Sequence, residues 1–251
     1  MELPRNKIIK GDCIQVLKSF DDNTVPLIVT SPPYNRNNTT GNFAGKGHSG
    51  GIYADWSYDV HNDNLPRDEY VAWQREFLEQ ACRVLTDDGA IFYNHFWRVQ
   101  KGLHQDQSEI VNGFPLRQII IWNQCGGYNF NQTYFLPVFE VIYLICGPKF
   151  KLRKCANRHS NIWRIPRSSN NLGHPATYPV ELVERCIAST EATVVLDPFM
   201  GSGTTGIAAA NQGIDYIGIE LSPYYCWIAN TQIEEAKMYI KADQESLPEA
   251  A

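Results

Sequence analysis

Apolar runs of strand length alternate along this chain with segments patterned for helices, and that alternation restricts the fold more than any other feature. Val25-Pro-Leu-Ile-Val-Thr30 is a continuous apolar run, as expected of a strand covered on both faces of a parallel sheet. Lys7-Ile-Ile-Lys10 reads as a shorter strand before it, and Cys13 to Phe20 carries Ile14, Val16, Leu17 and Phe20 at near-helical spacing. Asp63 or Asn64 as a cap, Pro66 near the first turn, and apolar Tyr70, Trp73, Phe77, Ala81, Val84 and Leu85 predict a helix that Asp87-Asp88-Gly89 closes. Further strands are expected over Ala90–Phe96, Gln118–Trp122, Val138–Ile145, Thr193–Leu196 and Asp215–Ile219, and further helices over Pro179–Ser189, Thr204–Asn211 and Pro223–Lys241. Such a chain folds as an α/β protein, a mostly parallel sheet wrapped by helices in the Rossmann-like manner. Its 251 residues suit one domain spanning 1–251. Two irregular stretches, 36–65 and 148–172, read as insertions.

Composition excludes several classes. Hydrophobic residues are 43% and charged residues 20% of the chain, the balance of an ordinary folded protein. No apolar run approaches the ~20 residues of a membrane span, and the first residues lack the apolar core of a secretory signal, so a cytoplasmic protein is expected. The seven cysteines are scattered, with no C-x-x-C pair, which suits reduced thiols rather than disulfides or a metal site. The net charge of −5 is unlike that of a nucleic-acid binder, but its distribution is uneven. No acidic residue lies between Glu140 and Glu181, where Lys149, Lys151, Arg153, Lys154, Arg158, Arg164 and Arg167 fall. A second acid-free stretch holds Arg36, Lys46 and His48. Basic runs are commonly just solvated surface; because these two flank the chemistry described next, they are taken as candidate phosphate contacts.

That chemistry has two centres. Asp197-Pro-Phe-Met-Gly-Ser-Gly-Thr-Thr205 stands where an apolar strand ends and a helix begins, and glycines there let the backbone approach a nucleotide-like ligand. The string is neither G-x-G-x-x-G nor G-x-x-x-x-G-K-[ST], which removes the main support for a dinucleotide or a triphosphate. Asp197, Pro198, Phe199, Gly201, Ser202, Gly203 and Thr204 are therefore candidate cofactor residues. Glu220 ends the following strand, placed to accept from ribose hydroxyls. The bland alternative is a tight turn and a surface acid.

The second centre is Ser31-Pro-Pro-Tyr34, which halts the Val25–Thr30 strand because proline cannot donate to a ladder. An exocyclic amine is a poor nucleophile, its lone pair being delocalised into the ring. Acceptors aimed at its two N–H bonds draw it toward tetrahedral geometry. Ser31 offers a hydroxyl oxygen, Pro32 a carbonyl whose direction its ring and that of Pro33 help fix, and Tyr34 a face on which a base taken out of the stack can lie.

Thr30-Ser-Pro-Pro-Tyr-Asn35 resembles the catalytic motif of the DNA amino-methyltransferases, and Asp197-Pro-Phe-x-Gly-Ser-Gly-Thr-Thr resembles their S-adenosylmethionine loop. The catalytic motif comes first, the permuted order of the β group of that family. Gly11-Asp12, His174-Pro-Ala-Thr-Tyr-Pro179 and Tyr216-Ile-Gly-Ile-Glu220 extend the resemblance over nearly the whole chain. It implies methyl transfer from S-adenosylmethionine to a base in double-stranded DNA, the amine attacking the sulfonium methyl in line with no covalent enzyme intermediate. No proline is followed by cysteine, which argues against methylation at carbon 5 of cytosine. Ser-Pro-Pro-Tyr is typical of cytosine N4, whereas Asp-Pro-Pro-Tyr goes mostly with adenine N6, so N4 is expected and N6 is the alternative. An RNA substrate and an inactive DNA-binding homologue are the further readings. A cognate restriction endonuclease and a homodimer are partners that the resemblance allows.

Smaller expectations attach to single residues. Asp12 either contacts the cofactor or caps the helix that begins at Cys13. Glu140, a charge in an apolar strand, needs a partner; it matches a glutamate common in the family, and a basic neighbour would satisfy it equally. His174 orients the turn before Pro175. Phe92 to Trp97 read as core and pocket wall, and Trp163 as an aromatic that touches DNA.

Overall fold

The structure, a computed structural model, describes residues 3–35, 63–100, 102–127, 129–167 and 178–246. In chain order the elements are β1 (Lys7–Lys10), α1 (Cys13–Lys18), β2 (Val25–Thr30), α2 (Arg67–Val84), β3 (Leu85–His95), β4 (Arg98–Gln100), β5 (Leu103–Gln105), α3 (Ser108–Val111), β6 (Leu116–Asn123), β7 (Phe139–Cys146), β8 (Ile162–Arg164), α4 (Val180–Ala188), β9 (Val194–Asp197), α5 (Thr204–Gln212), β10 (Asp215–Glu220) and α6 (Pro223–Ser246), with one 3-10 turn at Ala156–Arg158.

Among the described residues eight strands form one sheet in the order β1-β10-β9-β2-β3-β7-β6-β8. Every neighbouring pair is parallel except those made by β7, which runs against β3 and β6. β4 and β5 make a separate antiparallel ribbon. The continuous apolar runs follow from this arrangement, because successive side chains feed two cores. Ile28, Ile91, Tyr93, Leu196 and Ile217 pack on one face with Leu17, Tyr70, Phe77 and Ile110 of α1 to α3. Leu27, Val29, Phe92, Val195 and Tyr216 pack on the other with Leu182, Val183, Ala208, Ala229 and Ile233 of α4 to α6. Each such aliphatic side chain contributes about 1.5–3 kcal/mol when fully buried. No helix among the described residues is long and apolar enough to cross a membrane, and all seven cysteines are unpaired thiols.

The register decides which residues share an end of the sheet. β2 meets β9 where the strand order reverses direction away from β2, so the carboxyl ends Thr30 and Asp197 are neighbours. Open α/β sheets place ligands at such a switch point. Lys10 pairs with Glu220, and Thr30 with Tyr93, at the same end.

Several sequence expectations shift. Pro66 is the residue before α2, with no side-chain cap, and Asp63 instead accepts from Asn35 N at 2.8 Å. The strand over 90–96 begins earlier, at Leu85, with a register irregularity opposite Val25 and Leu27. The segment 148–172 is not wholly irregular: Ile162–Arg164 extends the sheet beside β6. Trp163 is only 6% exposed, its ring 6.4 Å from that of Phe92 and beneath the Arg185 guanidinium. It is a core side chain, not a DNA contact, because β8 turns it into the sheet.

Candidate active site

Thr30, the last residue of β2, donates from Oγ1 to Asp197 Oδ1 at 2.8 Å. The two motifs are thereby tied together at the switch point. Asp197 is fully buried, and its remaining partners are Phe199 N on Oδ1 (3.0 Å) and the hydroxyls of Tyr178 (2.7 Å) and Thr205 (2.6 Å) on Oδ2. Burial pushes this carboxyl above its ordinary pKa, while the four donors pull it back. Asp197 thus builds the loop from inside, both of its oxygens accepting from protein donors.

Glu220 acts from the neighbouring strand end. Its Oε2 accepts from Gly201 N and its Oε1 from Ser222 N, each at 2.8 Å. Burial raises its pKa, and the two amides oppose the rise. Gly203, at φ 95°, starts α5 in the left-handed region, and a Cβ there would come within 2.9 Å of the Ala229 backbone, so only glycine fits. Phe199 stands edge-on to Trp73 at 5.9 Å and to Phe77 at 5.0 Å. Pro198, Ser202 and Thr204 complete the turn between β9 and α5. Asp12 caps α1, accepting from Gln15 N at 3.0 Å, which realises the capping reading. It lies beside Glu220, whose carbonyl accepts from Gly11 N.

The Ser31–Tyr34 loop is held at nearly every polar atom. Tyr70 Oη donates to the Pro33 carbonyl (2.8 Å), and Arg98 to those of Tyr34 (3.3 Å) and Asn35 (2.8 Å). Among the described residues no donor meets the Pro32 carbonyl. Ser31 Oγ lies 2.6 Å from Tyr34 Oη, which donates to Glu140 Oε2 at 2.9 Å. Asn94 Nδ2 stands 2.7 Å from both Tyr34 Oη and Glu140 Oε2, and Gln124 Nε2 donates to Glu140 Oε1 at 2.9 Å. The partners of Glu140 are therefore neutral amides and a phenol; Arg167 donates instead to Oε1 of Gln124. Because Tyr34 spends its proton on Glu140, Ser31 donates to Tyr34; Asn94 Nδ2 lies 3.4 Å from Ser31 Oγ, which leaves that oxygen one lone pair for another donor.

Beneath Tyr34 lies His95, stacked at 4.7 Å. Phe96 N donates to its Nδ1 at 2.8 Å, which places the proton on Nε2; Nε2 then donates to Tyr70 Oη at 2.6 Å, and Tyr70 to Pro33. Tyr70, Gln124, Arg98 and Tyr178 are site side chains that the sequence did not single out, whereas Asn94 and His95 fall within the Phe92–Trp97 pocket wall expected from it, without the polar roles seen here. A polar pair, Asn94-His95, interrupting the apolar run from Ala90 was the available signal.

The basic segment divides. Lys149 pairs with Asp87 at 2.7 Å, and Arg153 with Glu191 at 3.1 Å. Lys149 N bonds Asp87 O at the amino end of β3, and the eight residues from there to His95, at about 3.3 Å each, put it roughly 26 Å from the level of His95. As contacts to DNA at the active site these two are corrected: they sit at the opposite end of the sheet and have acidic partners. Lys151, Lys154 and Arg158 are exposed on the segment before β8. Arg164, paired with Asn123, and Arg167 are at the catalytic end. Arg36, Lys46 and His174 lie outside the described residues.

The DNA methylase family N6_N4_Mtase matches residues 25–231. The chain belongs to that family. The methylase is 28% identical over 268 residues to the type II methyltransferase M.BglII of Bacillus subtilis, covering 89% of this chain and 68% of that one. TTHA0409 of Thermus thermophilus, solved with S-adenosyl-L-methionine, is 25% identical with a TM-score of 0.65, covering 92% and 94% of the two chains. The PvuII DNA methyltransferase, described as cytosine-N4-specific, shares the fold at a TM-score of 0.69 and 21% identity, over 94% and 93%. S-adenosylmethionine is the cofactor of the family, and the site suits it. Glu220 retains lone pairs for ribose hydroxyls, Phe199 offers an apolar wall, and the glycine turn brings backbone close to whatever lies at the strand end.

Proposed function

We propose that the methylase transfers a methyl group to N4 of a cytosine rotated out of duplex DNA. The observation that carries this reading is the Ser31 hydroxyl, ordered by Tyr34, Glu140 and Asn94 so that one lone pair stays available, beside the Pro32 carbonyl. Two acceptors in that place suit the two N–H bonds of an exocyclic amine, and serine at this position is what the family resemblance associates with N4. When bound, S-adenosylmethionine supplies an electrophilic sulfonium methyl; Glu220, Phe199 and the Gly201–Gly203 turn hold it.

The protein does the rest by positioning and proton movement. Ser31 Oγ and Pro32 O turn the amine lone pair out of conjugation. Tyr34, backed by His95, supplies the stacking surface for the base. The newly methylated amine carries one proton too many. Ser31 takes that proton as it passes its own to Tyr34, and Tyr34 passes its own to Glu140, so the amine leaves neutral and Glu140 ends protonated. Arg164 and Arg167 meet phosphate at the catalytic end. A cognate endonuclease and a homodimer belong to the same proposal, as companions of a type II enzyme.

Incubation with unmethylated DNA and isotopically labelled S-adenosylmethionine, followed by digestion and mass spectrometry of the nucleosides, tests it. N4-methylcytosine is expected. N6-methyladenine would reverse the base assignment and leave the proton path standing. Label on RNA alone, or none on any nucleic acid with the cofactor still bound, would overturn the reading.

A further inference from the structure

The loop joining β6 to β7 leaves the sheet at the catalytic end, bracketed by Gln124 and Glu140 of the active-site network. Residues 124–139 hold no charged side chain, so the loop is not built to meet phosphate. It is nonetheless ordered by its own polar groups: Asn129 Nδ2 donates to Tyr134 O at 2.7 Å, Asn131 N to Asn129 Oδ1 at 2.9 Å, and Thr133 N to Asn131 Oδ1 at 2.9 Å. On this braced turn stand Phe130, 95% exposed, and Phe135, 98% exposed. They are the two most exposed of the large hydrophobic side chains among the described residues. Exposed Arg164 and Arg167 lie on the neighbouring edge, Arg164 paired with Asn123 and Arg167 bound to Gln124.

We propose that Phe130 and Phe135 form an aromatic wedge that occupies the place in the DNA duplex vacated by the target base. Rotating a base into the Ser31 pocket breaks its stacking and pairing and leaves a gap bounded by two base faces. An aromatic ring fills such a gap with stacking that does not depend on sequence. Neutral loop, apolar tips and flanking guanidiniums match what that position presents: bases at the centre, phosphates on either side. This rests on the DNA methyltransferase reading and adds a partner surface to it, one that the buried Trp163 does not provide.

The test uses the full-length protein. Sites methylated by the wild type are first mapped by sequencing; failure to methylate any DNA would fell the functional reading and not this one specifically. Duplex oligonucleotides carrying the mapped site are then prepared with the target base either paired or opposite an abasic position, which lowers the cost of rotating it out. The double variant Phe130→Ala, Phe135→Ala is expected to slow single-turnover methylation of the paired duplex about tenfold, and to come within about threefold of wild type on the abasic duplex. A paired-duplex rate within about threefold of wild type, or equal slowing on both duplexes, overturns the proposal. So does a wild-type dimer that the double variant converts to monomer with equal loss on both substrates, since that assigns the face to a second copy of the chain. Both side chains being exposed, unchanged thermal unfolding and cofactor binding are expected.

Discussion

Thr30 and Asp197 are 167 residues apart in the chain, and a 2.8 Å hydrogen bond joins them where the catalytic strand meets the cofactor strand. Permuted motif order is of no consequence to the site because this contact restores the motifs to adjacency.

Replacing Thr30 by valine keeps the volume and removes the donor. Asp197 loses one of the four bonds that offset its burial, so the cost is expected at about 1.5–3 kcal/mol, the range for a hydrogen bond to a charged group. The Asp197 carboxyl, already raised by burial, rises further. Urea unfolding measures the difference; less than about 0.5 kcal/mol would mean that the bond is not a tie.

Glu140→Gln tests the proton path. Oε2 receives Tyr34 and Asn94, and a neutral amide there can accept a hydrogen bond but no proton. The rate of methyl transfer should fall about 10²- to 10⁴-fold, the usual range for losing a proton acceptor, with DNA affinity little changed. Retention of a tenth or more of the wild-type rate would remove Glu140 from the path.

Tyr70→Phe separates positioning from chemistry. The variant leaves the Pro33 carbonyl without its donor and His95 Nε2–H without its acceptor, at a stability cost of about 1–3 kcal/mol. The turnover rate should drop while cofactor affinity, measured by calorimetry, holds. Loss of cofactor binding in parallel would show that the relay supports the whole end of the sheet rather than the Ser31 loop.

Acid should weaken cofactor binding and spare this part of the fold. Glu220 has a raised pKa, chiefly from burial, so the folded chain binds its proton more readily than the unfolded chain does. Its contribution to stability is therefore fully present below the unfolded pKa and is lost as pH rises through the folded one. Binding to ribose hydroxyls runs the other way, since the carboxylate is the better acceptor. S-adenosylmethionine affinity should fall as pH drops through a value above the ordinary glutamate range, and Glu220→Gln should flatten that dependence. A wild-type profile as flat as the variant's would exclude Glu220 as the hydroxyl acceptor.

Much of the molecule was legible in one dimension because its determinants are local. Strand-length apolar runs report burial on both faces, and β1 and β2 fall where the pattern places them. The prolines of Ser31–Tyr34 and the glycines at 201 and 203 announce turns, since no other residues tolerate those conformations at so little cost. Which side chains complete the site is a matter of register. Asn94 reaches Tyr34 and Glu140 because β3 and β7 run antiparallel with Asn94 opposite Ile142, and a slip of one residue would send it to the other core. The basic stretch shows the same division: composition revealed the charge, but only the direction of β7 and the return of β8 decided that Lys149 and Arg153 face away from the chemistry while Arg164 and Arg167 stand beside it. Trp163 could not be assigned from sequence, because a tryptophan in an irregular basic segment is buried or exposed according to a sheet edge some forty residues earlier in the chain, where Trp122 pairs with it.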